Sequence, residues 1–373
     1  MITLVPLTGF LGSGKTTLLI TAAIAMQRTG RRVAVITNDQ GAQLVDTDLA
    51  RSGLDEVAEV AGGCFCSRFE DLAALVLDLE ASGRVDTVIA EAAGSCTDMQ
   101  AGVVRPLRRY HGDRVTVAPL TAVVDPLRLD LFSRMSARAP ESELAYLHDR
   151  QLAEADVLAL NKVDLLGPER AAKFEARLAA DHPHAAVVPC SAASGLGVDE
   201  LLRAWKRGPA APERDTDVDY TRYAAAESAL SWMNQSFEVC AVHEHFDAPA
   251  WGRAVLDHLS DWSAASGYLV GHAKVAVRTP AGLAKLSVTA AGERPRSDRA
   301  AARPVRRGAA TVNVRVACSP AALDAAVSAA LDAADAATGA RSSAQLPVSF
   351  RPQYPRPLYR LAAARSQRAA SGC

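Results

Sequence analysis

Short apolar runs alternate with helical stretches over the first half of the chain. The runs predict buried strands at residues 2–8, 32–37, 86–90, 115–124, 157–161 and 185–190. A helix is predicted over residues 15–27, where apolar residues recur on one side. Short apolar strands that alternate with helices are typical of a mostly parallel sheet covered on both faces. We therefore predict an α/β domain over residues 1–205.

A different pattern follows residues 206–227, which have the composition of a linker. The later periodicity predicts, in order, strand 229–242, helix 249–265, strands 268–278, 283–290 and 310–318, and helix 320–337. This β-α-β-β-β-α order predicts a small α+β domain over residues 228–340, on an antiparallel or mixed sheet. Residues 341–373 place arginines among prolines and alanines without an acidic residue, which predicts a basic, at least partly irregular tail.

Composition narrows the class of protein. The chain has 41 Lys and Arg residues against 42 Asp and Glu residues, a formal net charge of −1. This balance argues against nucleic-acid binding, although arginines cluster at residues 291–308. No apolar run approaches the roughly 18 residues of a membrane span, and no signal peptide is evident. The 7 cysteines are an odd and sparse set, which argues against a disulfide scaffold and favours a reduced, cytoplasmic setting.

A glycine-rich turn joins the first predicted strand to the first predicted helix. Its sequence, GFLGSGKT at residues 9–16, fits the pattern G-x-x-x-x-G-K-[ST]. In such a loop the backbone N–H groups surround phosphate oxygens, and the helix N-terminus adds the positive end of its dipole. The lysine neutralises the β- and γ-phosphates, and the following hydroxyl binds Mg²⁺. The expected nucleotide-binding residues are Gly9, Gly12, Ser13, Gly14, Lys15, Thr16 and Thr17, the last of them at the α-phosphate.

A second motif, N-K-x-D, follows the fifth predicted strand at Asn161, Lys162 and Asp164. In P-loop GTPases this motif selects guanine, because the carboxylate accepts hydrogen bonds from two N–H groups that adenine does not present. The lysine stem covers the base. Ser191 and Ala192, after the sixth strand, resemble the loop whose backbone N–H meets the guanine oxygen. The sequence therefore favours GTP over ATP.

Polar residues at two further strand ends are candidate sensors of the γ-phosphate. Asp39 follows the second strand and is expected to hold Mg²⁺ through water or to orient the attacking water. Glu91 and Gly94 follow the third strand, where the carboxylate can serve Mg²⁺ and the glycine N–H can reach the γ-phosphate. Ligands bind at the carboxyl ends of such strands, although each residue could instead be an ordinary turn or cap. The predicted catalytic residues are thus Lys15, Asp39 and Glu91, with Thr16, Asp39 and Glu91 around Mg²⁺.

Two cysteines form the sequence Gly62-Gly63-Cys64-Phe65-Cys66-Ser67. Thiols one residue apart point the same way in an extended turn, and thiolates favour Zn²⁺ and other soft or borderline metal ions. The pair could equally be two small buried apolar residues, since free cysteine often packs in that way.

Together these motifs resemble the CobW-like metal-chaperone GTPases, relatives of the UreG and HypB nickel-insertion GTPases. The resemblance covers residues 1–200, and the element order after residue 228 is similar to the family's C-terminal domain. It implies a P-loop GTPase that hydrolyses GTP with Mg²⁺ and delivers a Zn²⁺- or Co²⁺-class ion to a client metalloprotein. Related GTPases pair across their nucleotide faces, so a homodimer is also an expectation.

The chain departs from the family pattern at the metal loop. The usual sequence is C-x-C-C, but Ser67 stands in place of the third cysteine. Cys96 lies just past Gly94 and could supply the missing thiolate, or it could simply pack. His243 and His245 would share one face of a strand, as a second metal site or as a polar face. The alternative function is a P-loop GTPase that regulates protein assembly without a metal cargo.

Overall fold

The computed structural model describes residues 1–39, 54, 56–208, 215–299, 303–343 and 348–363, with the backbone alone for Asp39. The first part of the chain forms strands β1 (Ile2–Thr8), β2 (Val33–Asp39), β3 (Val57–Ala61), β4 (Thr87–Glu91), β5 (Val115–Val117), β6 (Thr121–Val124), β7 (Val157–Leu160) and β8 (Ala186–Pro189). Its helices are α1 (Lys15–Arg28), α2 (Phe69–Ser82), α3 (Arg105–His111), α4 (Pro126–Arg138), α5 (Glu143–Ala153), α6 (Pro168–Asp181) and α7 (Val198–Arg207).

The eight strands form one parallel sheet in the order β3-β2-β4-β1-β6-β7-β8, with β5 beside the start of β1. The central strands β1, β4, β6 and β7 are buried almost throughout, because helices cover both faces. Parallel strands end at a common edge of the sheet, so the loops after β1, β2, β4, β7 and β8 meet there. This edge carries every predicted nucleotide-binding motif.

The second domain consists of α8 (Tyr220–Ser228), β9 (Ser231–Ala241), α9 (Ala248–Ala265), β10 (Val270–Thr279), β11 (Gly282–Val288), β12 (Arg296–Arg299), β13 (Arg307–Val316), α10 (Pro320–Thr338) and β14 (Ala340–Ser342). Its six strands pair antiparallel in the order β12-β11-β10-β13-β9-β14. Helices α9 and α10 pack on one face over a core that includes Trp251, Leu256 and Val275. The opposite, polar face lies toward the first domain.

The predicted fold class is confirmed: a parallel α/β sheet is followed by an α+β domain on an antiparallel sheet. Three local predictions were wrong or incomplete. The strand predicted at 115–124 is two strands, β5 and β6, separated at Pro119, which cannot donate to a ladder. Strand β3 was missed because this edge strand is only half-buried and lacks a continuous apolar run. His243 and His245 lie beyond the end of β9 in exposed, irregular backbone, so they do not share a strand face.

The predicted domain limits stay a prediction, with helix α8 lying in the last part of the predicted linker. No helix in the described ranges is long and apolar enough to cross a membrane. Part of the predicted tail is ordered: residues 350–363, here called the C-terminal strap, return from the second domain to the first. The strap starts at a backbone bridge between Phe350 and Trp232.

Candidate functional site

A cavity of about 580 Å³ lies at the carboxyl edge of the parallel sheet, between the two domains. One wall belongs to the first domain and includes Gly12, Gly14, Lys15, Thr16, Thr17, Asn38, Glu91, Gly94, Asn161, Lys162, Asp164 and Ala192. The other wall belongs to strands β10 to β12 and the loops beside them. The structure therefore brings most of the predicted phosphate, base and γ-phosphate residues to a single cavity, while Gly9, Ser13 and Ser191 lie in the same loops but do not line it.

The phosphate loop adopts the conformation that its glycines permit. Gly14 begins helix α1 at φ 99°, and a Cβ there would lie 2.4 Å from Nδ2 of Asn161. No other residue type fits this position. The Lys15 ammonium crosses the loop and donates to the carbonyls of Gly9 at 2.8 Å and Phe10 at 3.3 Å. Its charge is thus already held beside the place where phosphates would lie.

The base end of the cavity is built by the N-K-x-D loop. Asn161 donates from Nδ2 to the Ser13 carbonyl at 2.9 Å and accepts from the Ala192 N–H at 2.9 Å. One side chain thereby joins the phosphate loop to the loop after β8. Lys162, at φ 61°, donates to the Gly12 carbonyl at 2.8 Å. Asp164 lies exposed in the cavity wall, in the short 3₁₀ turn Val163–Leu165.

The segment after β4 lies across the phosphate loop. The Thr16 hydroxyl donates to Oε1 of Glu91 at 3.0 Å, so a hydroxyl and a buried carboxylate meet where Mg²⁺ was predicted. Gly94 packs so closely on Leu11 that a Cβ would lie 2.5 Å from that side chain. The backbone of Asp39 ends β2 at the same edge, while its side chain lies outside the described part of the structure.

Cys64, Cys66 and Cys96 converge beside this edge. Their three sulfur atoms all lie within 4.8 Å of one another, and each residue is buried. Among the described residues they are the one group of three or more His, Cys, Asp or Glu side chains close enough to share an ion. Hydrogen bonds from the other two thiols lower the pKa of Cys64, and the same bonds raise the pKa values of Cys66 and Cys96. Cys64 is therefore the most acidic of the three thiols.

The Asn38 side chain connects the cysteine loop to the segment after β4. Its Nδ2 donates to the carbonyls of Val60 at 2.8 Å and Gly63 at 2.7 Å. Its Oδ1 accepts from the Ala93 N–H at 3.1 Å. Gly63 precedes Cys64 and Ala93 precedes Gly94, so one amide joins the cysteine loop to the segment of the predicted γ-phosphate sensor.

Helix α5 and the residue after it hold the loop that carries Cys96. Gln151 donates to the carbonyls of Gly94 at 3.0 Å and Cys96 at 2.9 Å. Glu154 accepts from the Thr97 hydroxyl and from the Gln100 N–H, each at 3.2 Å. These buried polar residues had no recognisable signal in the sequence, because their partners come from a distant loop.

The C-terminal strap packs against the segments that carry the cysteine cluster. The Leu358 N–H donates to the Cys66 carbonyl at 2.9 Å, and the Leu361 N–H donates to the Ala101 carbonyl at 3.0 Å. Arg360 donates to the buried carboxylate of Asp98 at 2.9 Å. Tyr359 of the strap packs against the apolar core that contains the three cysteines, so the strap lies directly beside the cluster.

These features define the first domain as a P-loop nucleotide-binding domain with an N-K-x-D loop at the base end of the cavity. The family model for the CobW/HypB/UreG nucleotide-binding domain matches residues 3–189. The chain therefore belongs to the CobW/HypB/UreG family, as the motifs predicted.

Two curated relatives show how far the likeness extends. The chain is 32% identical over 226 residues to the zinc chaperone CobW of Pseudomonas aeruginosa, covering 52% of this chain and 58% of that one. It is 30% identical over 174 residues to zinc-regulated GTPase metalloprotein activator 1 of Schizosaccharomyces pombe, covering 44% and 39%. The chain spans about half the length of the curated relatives it matches.

The crystal structure of Zn(II)-bound YjiA GTPase from Escherichia coli superposes with a TM-score of 0.35 at 17% identity, covering 88% of this chain and 98% of that chain.

The buried Glu154 side chain leads us to predict that the free energy of unfolding depends on pH. Burial, with a smaller effect from Asp98, raises the pKa of Glu154 from 4.5 to about 8. Between these values the unfolded chain releases a proton that the folded protein keeps, so the free energy of unfolding falls as pH rises. Glu154→Gln, which imitates the protonated acid, should flatten this fall by up to about 1.4 kcal/mol per pH unit.

The measurement is urea unfolding between pH 6.5 and 8. His148, whose pKa burial lowers to about 4, affects the slope mainly below that window and affects it equally in both proteins. The exposed Glu169→Gln is the matched control and should leave the slope unchanged. Equal slopes in wild type and Glu154→Gln would contradict a protonated Glu154.

The strap predicts protection of the thiols. Arg360→Ala removes the ion pair with Asp98 and should speed alkylation of Cys64 and Cys66 by iodoacetamide several-fold, because the strap must lift to expose them. Peptide mass spectrometry reads each site separately. The exposed Arg356 of the same strap gives the control Arg356→Ala, which should react like wild type. Identical rates in both variants would show that the strap does not limit access.

Proposed function

We propose that this protein binds GTP with Mg²⁺, hydrolyses it, and thereby controls a transition-metal ion held by Cys64, Cys66 and Cys96 for delivery to a client protein. The observation that carries the proposal is the convergence of three buried thiols from two separate segments, one of which also lines the P-loop cavity through Ala92 and Gly94. One of these thiols lies two residues from Gly94, the predicted γ-phosphate sensor.

The nucleotide half of the proposal follows from the cavity wall. The Lys15 ammonium would leave the loop carbonyls for the β- and γ-phosphates, where charge accumulates during transfer. Thr16 and Glu91 would hold Mg²⁺, which neutralises charge on the same two phosphates. Asn161 fixes the loops on both sides of the base, and Asp164 would accept the two guanine N–H groups.

The metal half follows from the donor set. Sulfur atoms that bind one zinc ion at about 2.3 Å in a tetrahedral arrangement lie about 3.8 Å apart, so the cluster needs only small shifts to bind. Three thiolates suit Zn²⁺ or a Co²⁺-class ion, and leave a fourth position for a client's ligand. The relatives named as zinc chaperones support zinc as the cargo.

The structure also supports a link between the two halves. Asn38 joins the residue before Cys64 to the residue before Gly94, so the γ-phosphate and the metal would bias the same hydrogen bonds. Loss of the γ-phosphate would loosen the Cys96 segment, and the thiolate set would be incomplete. Hydrolysis could then time the release of the metal.

A regulatory GTPase without metal cargo remains the competing function. Its main support was Ser67 in place of a third cysteine. The Ser67 hydroxyl donates to the Cys64 carbonyl at 3.0 Å, a structural role, while Cys96 completes the group of three thiols. We therefore favour the metal-handling function. A homodimer, the client protein and a cytoplasmic location stay predictions.

We expect the substitution Asp164→Asn to change the base preference of the nucleotide site. The amide replaces one acceptor by a donor, so GTP binding should weaken about tenfold or more while xanthosine triphosphate binding improves. Competition against a fluorescent guanine nucleotide measures both. Wild-type protein that binds ATP as tightly as GTP would contradict the assignment of the base site.

The metal site predicts thiolate-to-metal absorption. Addition of Co²⁺ should give intense near-ultraviolet bands, which Cys64→Ala and Cys66→Ala each abolish and Cys96→Ala weakens, more so with GTP bound. Affinity should fall as pH drops, because the thiols must lose their protons to bind the ion.

Cys318→Ala provides the control for a buried thiol outside the cluster. It should leave the bands intact. Wild-type protein without such bands would favour the regulatory GTPase, and an unchanged spectrum in Cys96→Ala in both nucleotide states would make Cys96 a packing residue.

A further inference from the structure

The second wall of the nucleotide cavity belongs to the C-terminal domain. Along β10 and β11 the side chains alternate between the two faces of the sheet. Val275 and Leu286 join the core under helix α9. The residues on the other face include His272, Lys274, Lys285 and Ser287, and all four line the cavity opposite the phosphate loop.

This wall is in direct contact with the phosphate loop. A Cβ on Gly12 would lie 2.9 Å from the Thr289 side chain and 3.1 Å from the Gly271 carbonyl. Gly271 itself packs on Leu11, to which a Cβ would approach within 2.8 Å. The start of β10 and the end of β11 therefore touch the tip of the loop that would surround the phosphates.

A buried arginine fixes this contact between the domains. Arg128, from helix α4 of the first domain, donates to the carbonyls of Val270 at 2.5 Å and Gly271 at 2.9 Å, and also to that of Thr289. All three acceptors lie at the ends of β10 and β11 nearest the phosphate loop. The two walls are thus held at a fixed separation, and the cavity between them is a built feature of the fold.

The second wall carries excess positive charge. Lys274, Lys285, Arg296 and Arg299 line it, against the carboxylates of Glu293 and Asp298. The Glu293 carboxylate accepts hydrogen bonds from the Thr289 and Ala290 N–H groups and from the Thr289 hydroxyl. Lys285 is only 3% exposed and lies 3.5 Å from Asp298, which is itself 29% exposed.

On the first wall, Lys162 is paired with Asp125 at 2.7 Å, which leaves Lys15 as the main cation for a triphosphate. We propose that Lys274 and Lys285 of the C-terminal domain are phosphate-binding residues, and that a bound nucleoside triphosphate joins the two domains across the cavity. This rests on the proposed function, because it takes the nucleotide to occupy the P-loop cavity. The C-terminal domain then senses the nucleotide directly.

The test is nucleotide affinity in Lys274→Met and Lys285→Met, which keep the apolar stem of each lysine and remove its charge. Titration with fluorescent GTP and GDP analogues should show about tenfold or greater weakening for GTP in each variant. The affinity of each variant should also depend less on salt than that of wild type. Lys274→Arg, which keeps the charge, should restore most of the GTP affinity.

Arg278→Met is the matched control. Arg278 lies on the same face of β10, is exposed, and does not line the cavity. It should bind GTP like wild type. Circular dichroism checks folding, and Lys274, which is partly exposed, keeps the test valid if the buried Lys285→Met fails to fold.

GTP affinity within twofold of wild type in folded Lys274→Met would overturn this proposal and leave the proposed function standing. Wild-type protein that binds no guanine nucleotide would instead contradict the proposed function. An equal loss of GTP affinity in Arg278→Met would show that the effect comes from the overall positive charge of the protein. That result would also overturn the assignment of Lys274.

Discussion

A loop whose N–H groups converge on phosphates turns its carbonyls outward, and every buried carbonyl needs a donor. In this protein the donors come from three side chains. Lys15 serves the carbonyls of Gly9 and Phe10, Asn161 that of Ser13, and Lys162 that of Gly12. The same asparagine and lysine belong to the base-reading motif. The need to satisfy the carbonyls of this one loop therefore brings the loop after β7 against it and fixes the shape of the nucleotide cavity.

Later parts of the chain close both sites of the first domain. The polar face of the second sheet lies over the nucleotide edge, fixed by the contacts of Arg128. The C-terminal strap lies over the cysteine cluster, held by Arg360 and by backbone hydrogen bonds. The expected homodimer would pair across the nucleotide face, which in this chain is already in contact with its own C-terminal domain. The homodimer itself stays a prediction.

Features with a fixed local spacing could be predicted from the sequence. The phosphate loop, the N-K-x-D motif and the alternation of strands and helices each depend on neighbouring residues, and they led to the right fold and family. The proximity of Cys96 to Cys64 and Cys66 was also foreseen as one of two alternatives. Other features that depend on residues distant in the sequence were not predicted. In the sequence, Lys274 and Lys285 look like ordinary polar residues of a strand. Their position opposite the phosphate loop depends on which domain the sheet faces.

The strap was missed for a different physical reason. Its backbone makes single hydrogen bonds to Cys66 and Ala101 without a helix or a ladder, so it has no periodicity to detect. Its arginines and prolines resemble a disordered tail. The wrong strand prediction for His243 and His245 has a similar origin, because alternation alone does not show where a strand ends. Glu154 was overlooked because a buried glutamate leaves no pattern in the sequence.

The position of the strap in the chain has a consequence for biosynthesis. Cys64, Cys66 and Cys96 leave the ribosome early, while residues 350–363 follow only after both domains have been made. At about 5–20 residues per second, the thiols stay uncovered for on the order of tens of seconds. During that interval a nascent first domain could take up metal from the cell before its cover exists. A newly made molecule and a mature one would then differ in how they exchange their cargo.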